Sequence, residues 1–138
     1  MSVVEQEGMQ MKEYTVKSEI FGFENIKNVE IHQIDELFFT LKDVDNTKIS
    51  FTMVNPYALR EYSFDLPLDI KVLLQIDENS NLNVYNFVVI QEPLEDSAIN
   101  FLSPIIVNED NGLLAQFVLS SKKHPDFGMA ERIKSFKE

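Results

Sequence analysis

The chain contains no cysteine, no tryptophan and only four glycines, and these shortages exclude several classes of protein. Without cysteine it has no disulfide framework, no thiolate nucleophile and no thiolate metal site, so nothing indicates an oxidising compartment. The four glycines form no phosphate-binding loop. No apolar run approaches the roughly 18 residues that a membrane helix needs, and the N-terminal residues have no signal-peptide core. The sequence therefore predicts a cytoplasmic protein with no membrane partner.

Positive charge is also scarce. The chain has 23 acidic residues against 12 lysines and arginines, a formal net charge of -11. This charge repels nucleic-acid phosphates, so direct binding to DNA or RNA is not expected. The acids are concentrated in residues 1–121, whereas residues 122–138 are mildly basic. Two interpretations stay open: the acids keep an apolar-rich domain soluble, or they form a face that attracts a basic protein partner.

At 138 residues and 44% hydrophobic content, the chain is long enough for one core without covalent staples, so we predict a single domain over residues 1–138. The densest apolar stretch is Ile99–Leu119, where Asn111-Gly112 predicts a tight antiparallel hairpin. Pro104 has no amide donor and is expected at a strand start or at a sheet edge. Further strands are predicted at Tyr14–Val16, Val29–Ile34, Leu37–Leu41, Ile49–Val54 and Val84–Gln91.

Helical signals are few. Pro67 precedes a helical stripe over Leu68–Ile76, and Met129, Ile133 and Phe136 share one face of a short helix predicted in Met129–Glu138. The aromatic segment Tyr57–Pro67 is predicted to lie at a sheet edge. The fold class is therefore all-β, an antiparallel β-barrel-like or sandwich domain with one or two short helices. Its core spans about residues 14–127, and residues 128–138 form a basic C-terminal extension.

Residues that could perform chemistry are sparse. The acidic segments that begin at Asp43 and Asp77 start like calcium loops but have valine at the twelfth position, so they are better interpreted as solvated hairpin loops. His32 and His124 are the only histidines, and neither lies in a spaced ligand set. No serine or threonine has the context of a nucleophile. The sequence thus predicts a protein that is not an enzyme, with no catalytic, cofactor-binding or metal-binding residues.

Five segments, in this order, resemble the family of the bacterial flagellar assembly factor FliW. Their order and spacing extend over nearly the whole chain, from about Tyr14 to Phe127. The segments are IFGFENI at Ile20–Ile26, FTMVNPY at Phe51–Tyr57, DLP at Asp65–Pro67, INFLSPIIVN at Ile99–Asn108 and KKHP at Lys122–Pro125.

The resemblance implies a non-enzymatic regulatory protein with a β-barrel-like fold. It implies that the protein binds flagellin and the small RNA-binding regulator CsrA. Binding CsrA would relieve its repression of flagellin translation, and free flagellin would titrate the factor away, which couples flagellin synthesis to export. The acidic composition agrees with a partner that must be basic where it binds RNA.

The partner surface is predicted in the Asn55–Tyr62 segment and the Phe101–Pro104 turn, where aromatic or kinked backbone coincides with a predicted sheet edge. These aromatic and apolar side chains could equally fill the core, and the sequence leaves both interpretations open. The predicted contact residues are Asn55, Tyr57, Tyr62, Phe101, Leu102 and Pro104.

Two other functions remain as alternatives. A small β-barrel could bind a small apolar ligand in an internal pocket lined by some of the 11 phenylalanines. A metal-dependent hydrolase would require His32 and His124 to converge with carboxylates.

Overall fold

The computed structural model describes residues 11–136 and is built mostly from β-sheet, which confirms the predicted all-β class. It has a single short α-helix, α1 (Leu68–Leu73), and 3-10 turns at Pro56–Ala58, Leu94–Asp96 and Ile133–Phe136. Its nine strands are β1 (Met11–Val16), β2 (Asn28–Gln33), β3 (Phe38–Asp43), β4 (Ser50–Val54), β5 (Leu82–Val89), β6 (Ala98–Ile99), β7 (Ile105–Asn108), β8 (Leu113–Gln116) and β9 (Glu131–Arg132).

Seven of these strands close into a barrel in the order β1-β2-β3-β4-β5-β7-β8, and β8 pairs back to β1. The neighbours are antiparallel except at the closure, where β1 and β8 are parallel and Thr15 and Val16 pair with Leu113 and Leu114. The sequence predicted antiparallel pairs only, because this contact joins distant parts of the chain. The short strands β6 and β9 extend the sheet beyond β5.

The predicted hairpin is confirmed. Strands β7 and β8 are antiparallel, with Ile105 opposite Gln116 and Asn108 opposite Leu113. Gly112 in the connecting turn has a φ of +73°, a left-handed conformation that glycine adopts without strain. Pro104 directly precedes β7, where its missing amide costs no ladder hydrogen bond.

The inside of the barrel is filled with side chains. Alternate residues of a strand point to the same face, and one buried cluster takes members from all seven strands, so this cluster must be the interior. Its members are at most 7% exposed. One member from each strand in chain order gives Tyr14, Val29, Leu41, Met53, Tyr85, Ile105 and Leu114.

A second core lies on the outer face of the barrel. It contains the residues that alternate with the interior ones, such as Val54, Val88 and Ile106, together with Ile70 and Leu74 from the helix region. Helix α1 is shorter than the predicted Leu68–Ile76, because Gln75 adopts a φ of +56° that ends the helix.

The side chains of Asn108 and Asn111 complete that end of the helix. Their amide nitrogens donate hydrogen bonds to the Leu74 carbonyl at 2.9 and 3.1 Å, so they satisfy an acceptor that the helix itself leaves open. No helix within residues 11–136 combines the length and apolarity needed to cross a membrane.

Two element predictions are wrong. The segment Tyr57–Pro67 contains no strand; it begins in a 3-10 turn and then crosses the outer core as irregular chain. The described part of Met129–Glu138 is not an α-helix but strand β9 followed by a 3-10 turn. In both segments, tertiary contacts determine the backbone conformation. In the C-terminal segment, pairing with β6 occupies backbone groups that a helix would need.

Candidate partner-binding surface

Asn55 and Tyr57 belong to a short turn after β4 that hydrogen bonds hold in place. The side-chain oxygen of Asn55 accepts a hydrogen bond from the Tyr57 amide at 3.1 Å, and Pro56 occupies the first position of the 3-10 turn. The Asn55 amide in turn donates to the Leu37 carbonyl at 2.8 Å. This arrangement leaves the Tyr57 side chain 55% exposed, and its partial burial raises the pKa of the phenol. The Tyr57 ring is therefore available to a partner.

Tyr62 lies beneath the turn that carries Asn55 and Tyr57, and it is 4% exposed. Its hydroxyl donates to the Phe101 carbonyl at 2.5 Å and accepts from the Asn86 side-chain amide at 3.2 Å. The Asn86 amide also donates to the Asn100 carbonyl at 3.0 Å. Burial raises the pKa of Tyr62 to about 12, and the hydrogen bond from Asn86 opposes this rise. Tyr62 therefore joins the segment after β4 to the turn before β7.

The turn Phe101–Pro104 is inside the molecule rather than at its surface. Phe101 is fully buried, Leu102 is 9% exposed and Pro104 is also buried. Their carbonyls complete the turn: those of Leu102 and Pro104 accept from the amides of Leu119 and Phe117 at 2.7 and 3.3 Å. The side chains of Tyr62, Phe101, Leu102 and Pro104 thus pack in the core, and any role of theirs in partner binding stays a prediction.

Arg60 is a central residue of this region that the sequence analysis missed. Its guanidinium carbon lies 5.0, 4.9 and 5.3 Å from the ring centroids of Phe101, Phe127 and Phe136. It also forms an ion pair with Glu131 at 3.3 Å. Cation–π contacts of this kind stabilise a partly desolvated guanidinium. Nothing in the local sequence around Arg60 indicates this role, because all of its partners are remote in the chain.

Five of the six predicted residues therefore form one connected structure, with Tyr57 outermost. The Tyr57 and Tyr62 rings meet edge to face at a centroid distance of 6.3 Å, and the Tyr62 ring lies 5.6 Å from that of Phe101. Leu102 follows Phe101 directly, and Asn55 holds Tyr57. Of the exposed aromatic side chains, Tyr57 is the one that packs on this connected group of residues.

The two histidines occupy different surroundings. His32 on β2 lies 3.3 Å from Glu30, and the His124 ring stacks on Phe127 at a centroid distance of 5.1 Å. Within residues 11–136, no three histidine or carboxylate side chains are grouped closely enough to hold a metal ion.

Comparison with known proteins points to one family. The model of the family described as FliW protein matches residues 2–129. The chain is 48% identical over 124 residues to flagellar assembly factor FliW 2 of Wolinella succinogenes, covering 90% of this chain and 91% of the relative. It is 46% identical over 125 residues to flagellar assembly factor FliW 2 of Helicobacter acinonychis, covering 89% and 93%.

A third relative and a solved structure agree. The chain is 42% identical over 122 residues to flagellar assembly factor FliW of Campylobacter lari, covering 88% of this chain and 93% of the relative. A crystal structure of the flagellar assembly factor FliW matches with a TM-score of 0.81 at 23% identity, covering 91% of this chain and 86% of that chain. At that identity the structural match shows the fold.

Proposed function

The chain belongs to the FliW family of flagellar assembly factors, and on that premise we propose that it binds flagellin and the RNA-binding translational regulator CsrA. In this proposal the protein is a non-enzymatic regulator that acts in the cytoplasm. Its binding to CsrA relieves the repression of flagellin translation. Free flagellin titrates the protein away from CsrA, so flagellin synthesis follows flagellin export.

One observation carries the proposal: the family match extends over residues 2–129, nearly the whole chain. The charge supports it independently. A net charge of -11 complements a regulator that must be basic where it binds RNA, and complementary charge speeds encounter between two proteins.

We propose Tyr57 as a contact residue for a partner. It combines an exposed ring with a rigid support, because Asn55 fixes its backbone and Tyr62 packs against its edge. Aromatic side chains held in this way lose little conformational entropy on binding and often supply much of the binding free energy. Tyr62 and Phe101 then act as the buried support rather than as contacts.

The function is tested by calorimetric titration of the purified protein with CsrA and, separately, with flagellin from the same organism. We expect saturable binding to each, with the affinity for CsrA falling as the salt concentration rises, since salt screens the charge attraction. Absence of binding to both partners would contradict the proposal.

The surface is tested by the variant Tyr57→Ala. We expect its affinity for at least one partner to fall by about tenfold or more, the scale of a hot-spot residue, with an unchanged thermal unfolding midpoint. The matched control is Phe21→Ala, because Phe21 is 46% exposed and lies in the β1–β2 connection, at the other end of the barrel. Equal affinities for Tyr57→Ala and the unmodified protein would contradict the proposed contact at Tyr57. They would not contradict the proposal that CsrA and flagellin are the partners.

The alternative of a small apolar ligand has no observation in its favour. The inward faces of the seven barrel strands are packed against one another in the region where such a ligand would bind.

A further inference from the structure

Asn111-Gly112, in the turn between β7 and β8, is the only Asn-Gly pair in the chain. Such pairs are prone to spontaneous deamidation, because glycine has no side chain to obstruct the approach of its own nitrogen. In this reaction the Gly112 nitrogen loses its proton and attacks the Cγ atom of Asn111. Ammonia leaves as a cyclic succinimide forms, and water then opens the ring to aspartate or isoaspartate. A neutral amide is thereby replaced by a carboxylate.

This turn connects three separate parts of the molecule. The side-chain amide of Asn111 donates to the Leu74 carbonyl at the end of α1, at 3.1 Å. The Gly112 amide donates to the Asn108 carbonyl of β7 at 2.9 Å, and the Gly112 carbonyl accepts from the Thr15 amide of β1 at 2.8 Å. A chemical change at this pair therefore acts on α1, on the hairpin and on the closure of the barrel.

The native hydrogen bonds engage every group that the reaction needs. The attacking Gly112 nitrogen keeps its proton while it donates to Asn108. The Asn111 side chain is fixed at both atoms, because Nδ2 donates to Leu74 and Oδ1 accepts from the Leu113 amide at 3.1 Å. It cannot turn towards the Gly112 nitrogen without breaking these bonds. Since Asn111 is exposed to solvent, the hydrogen bonds rather than burial restrain the reaction.

Helix α1 is the part of this arrangement that can move by itself. It has six residues, a length at which a helix is not stable in isolation, so it depends on packing. Ile70 and Leu74, which are 6% and 0% exposed, hold it on the outer core. The Leu74 carbonyl also accepts from the Asn108 side chain at 2.9 Å. Undocking of α1 therefore removes the acceptor of both asparagines without opening the barrel.

We propose that Asn111 is a deamidation site controlled by the docking of α1. While α1 is docked, the Leu74 carbonyl holds the Asn111 side chain away from the Gly112 nitrogen. When α1 undocks, the side chain turns and the reaction proceeds. The aspartate product cannot restore the contact, because its carboxylate has no donor for the Leu74 carbonyl. Deamidation thus converts a transient opening into a permanent one, whichever partners the protein binds.

The test follows deamidation at Asn111 in the full chain by peptide mass spectrometry, during incubation at neutral pH. The capped peptide of residues 109–114 supplies the rate of the unrestrained pair. We expect the folded chain to react at least about tenfold more slowly than this peptide, which corresponds to an opened fraction of at most about one in ten. The chain unfolded in urea should react as fast as the peptide in the same urea solution.

The variant Ile70→Val tests whether α1 controls the reaction. It removes one buried methyl group from the helix contact, so the folded variant should deamidate about twofold to tenfold faster than the unmodified protein. The matched control is Ile31→Val, because Ile31 is also 6% exposed but lies on β2 in the barrel interior. The control should leave the rate unchanged, since it weakens the barrel and not the helix contact.

The variant Asn111→Asp reproduces the aspartate product. The amides of Leu74 and Ile76 donate to the Ile70 and Lys71 carbonyls within the helix region, so their hydrogen exchange reports its opening. We expect exchange at both amides to be about threefold to tenfold faster in Asn111→Asp, the scale of one lost hydrogen bond. Asn25→Asp makes the same change at an exposed position of the β1–β2 connection and should leave this exchange unchanged.

Deamidation of the folded chain at the rate of the peptide would overturn the proposal. Equal rates in Ile70→Val and Ile31→Val would overturn it as well, because the reaction would then not depend on α1 in particular. Equal exchange at Leu74 and Ile76 in the two aspartate variants would show that the modification does not release the helix. None of these measurements involves CsrA or flagellin, so the two proposals are tested separately.

Discussion

At the scale of single residues, the most consequential contact is made by the hydroxyl of Tyr62. It donates to the Phe101 carbonyl and accepts from the Asn86 amide, and all three groups are buried. The other side-chain atom of Asn86, its oxygen, already has no hydrogen-bond partner in the described structure. This small network therefore has no alternative donor with which to replace a lost one.

The variant Tyr62→Phe tests this network. Removing the hydroxyl keeps the ring but leaves a buried carbonyl without its donor, so the free energy of unfolding should fall by about 1 to 3 kcal/mol. Urea denaturation measures this change. The control Tyr57→Phe removes a hydroxyl from a half-exposed ring and should change stability by less than about 0.5 kcal/mol. A Tyr62→Phe protein as stable as the control would show that the network contributes nothing.

At the scale of elements, the C-terminal segment is part of the folded unit rather than an appendage. Glu131 on β9 pairs with Ile99 on β6, and Phe101 donates its amide to the Gly128 carbonyl at 2.9 Å. Ile133 is 3% exposed and belongs to the outer core. Ile133 therefore packs against the outer face of the barrel.

The variant Ile133→Ala should therefore destabilise the protein. Loss of a buried isoleucine side chain costs about 2 to 5 kcal/mol, because a cavity remains where the side chain packed. Met129→Ala is the matched control, since Met129 lies in the same segment but is 69% exposed, and it should stay within about 0.5 kcal/mol of the unmodified protein. Denaturant unfolding that is identical for both variants would mean that the segment is not docked in solution.

The elements also show how far the sequence predicts the structure. The hairpin of β7 and β8 was predictable because its signals, Asn111-Gly112 between two apolar runs, are local. The helix at the C-terminus was predicted from the spacing of Met129, Ile133 and Phe136. Ile133 is buried and Phe136 is half-buried, but Met129 is 69% exposed, and the backbone there pairs with β6 instead of forming an α-helix. Periodicity therefore identified two of the three residues as packed, whereas pairing with β6 sets the backbone conformation.

The candidate surfaces were likewise predictable only in part. The sequence singled out Tyr57 and its surroundings through a family resemblance, but it could not distinguish the exposed ring of Tyr57 from the buried one of Tyr62. It gave no indication of a cleft of about 380 Å³ beside Asp43, which lies where the β1–β2 connection meets the end of β3 because β2 pairs with both β1 and β3.

At the scale of the whole molecule, all four tyrosines have a pKa above the usual value, chiefly because of burial. Burial, together with the carboxylate of Glu109, raises the pKa of Tyr85 to about 12, the same value as for Tyr62. In the unfolded chain these phenols ionise near pH 10. Their contribution to stability is therefore complete below about pH 10 and is lost as the pH rises towards 12.

We expect the free energy of unfolding to be lower at pH 11 than at pH 9, as measured by urea denaturation at each pH. Lysines also titrate in this interval, so the informative comparison is with the double variant Tyr62→Phe/Tyr85→Phe. That variant keeps every lysine but loses two of the shifted phenols, and its stability should depend less steeply on pH. An equally steep dependence in both proteins would contradict the assignment to buried tyrosines.

The parallel pairing that closes the barrel has a consequence for folding kinetics. Thr15 and Val16 pair with Leu113 and Leu114, so the first described strand finds its second neighbour only when most of the chain is present. Contacts between such distant segments pay a large loop-closure entropy and form slowly. During synthesis on the ribosome, β1 to β4 can pair in sequence, yet the edge of β1 stays open until β8 has emerged. Pairing of β1 with β8 is thus the step that converts a newly made chain into a closed barrel.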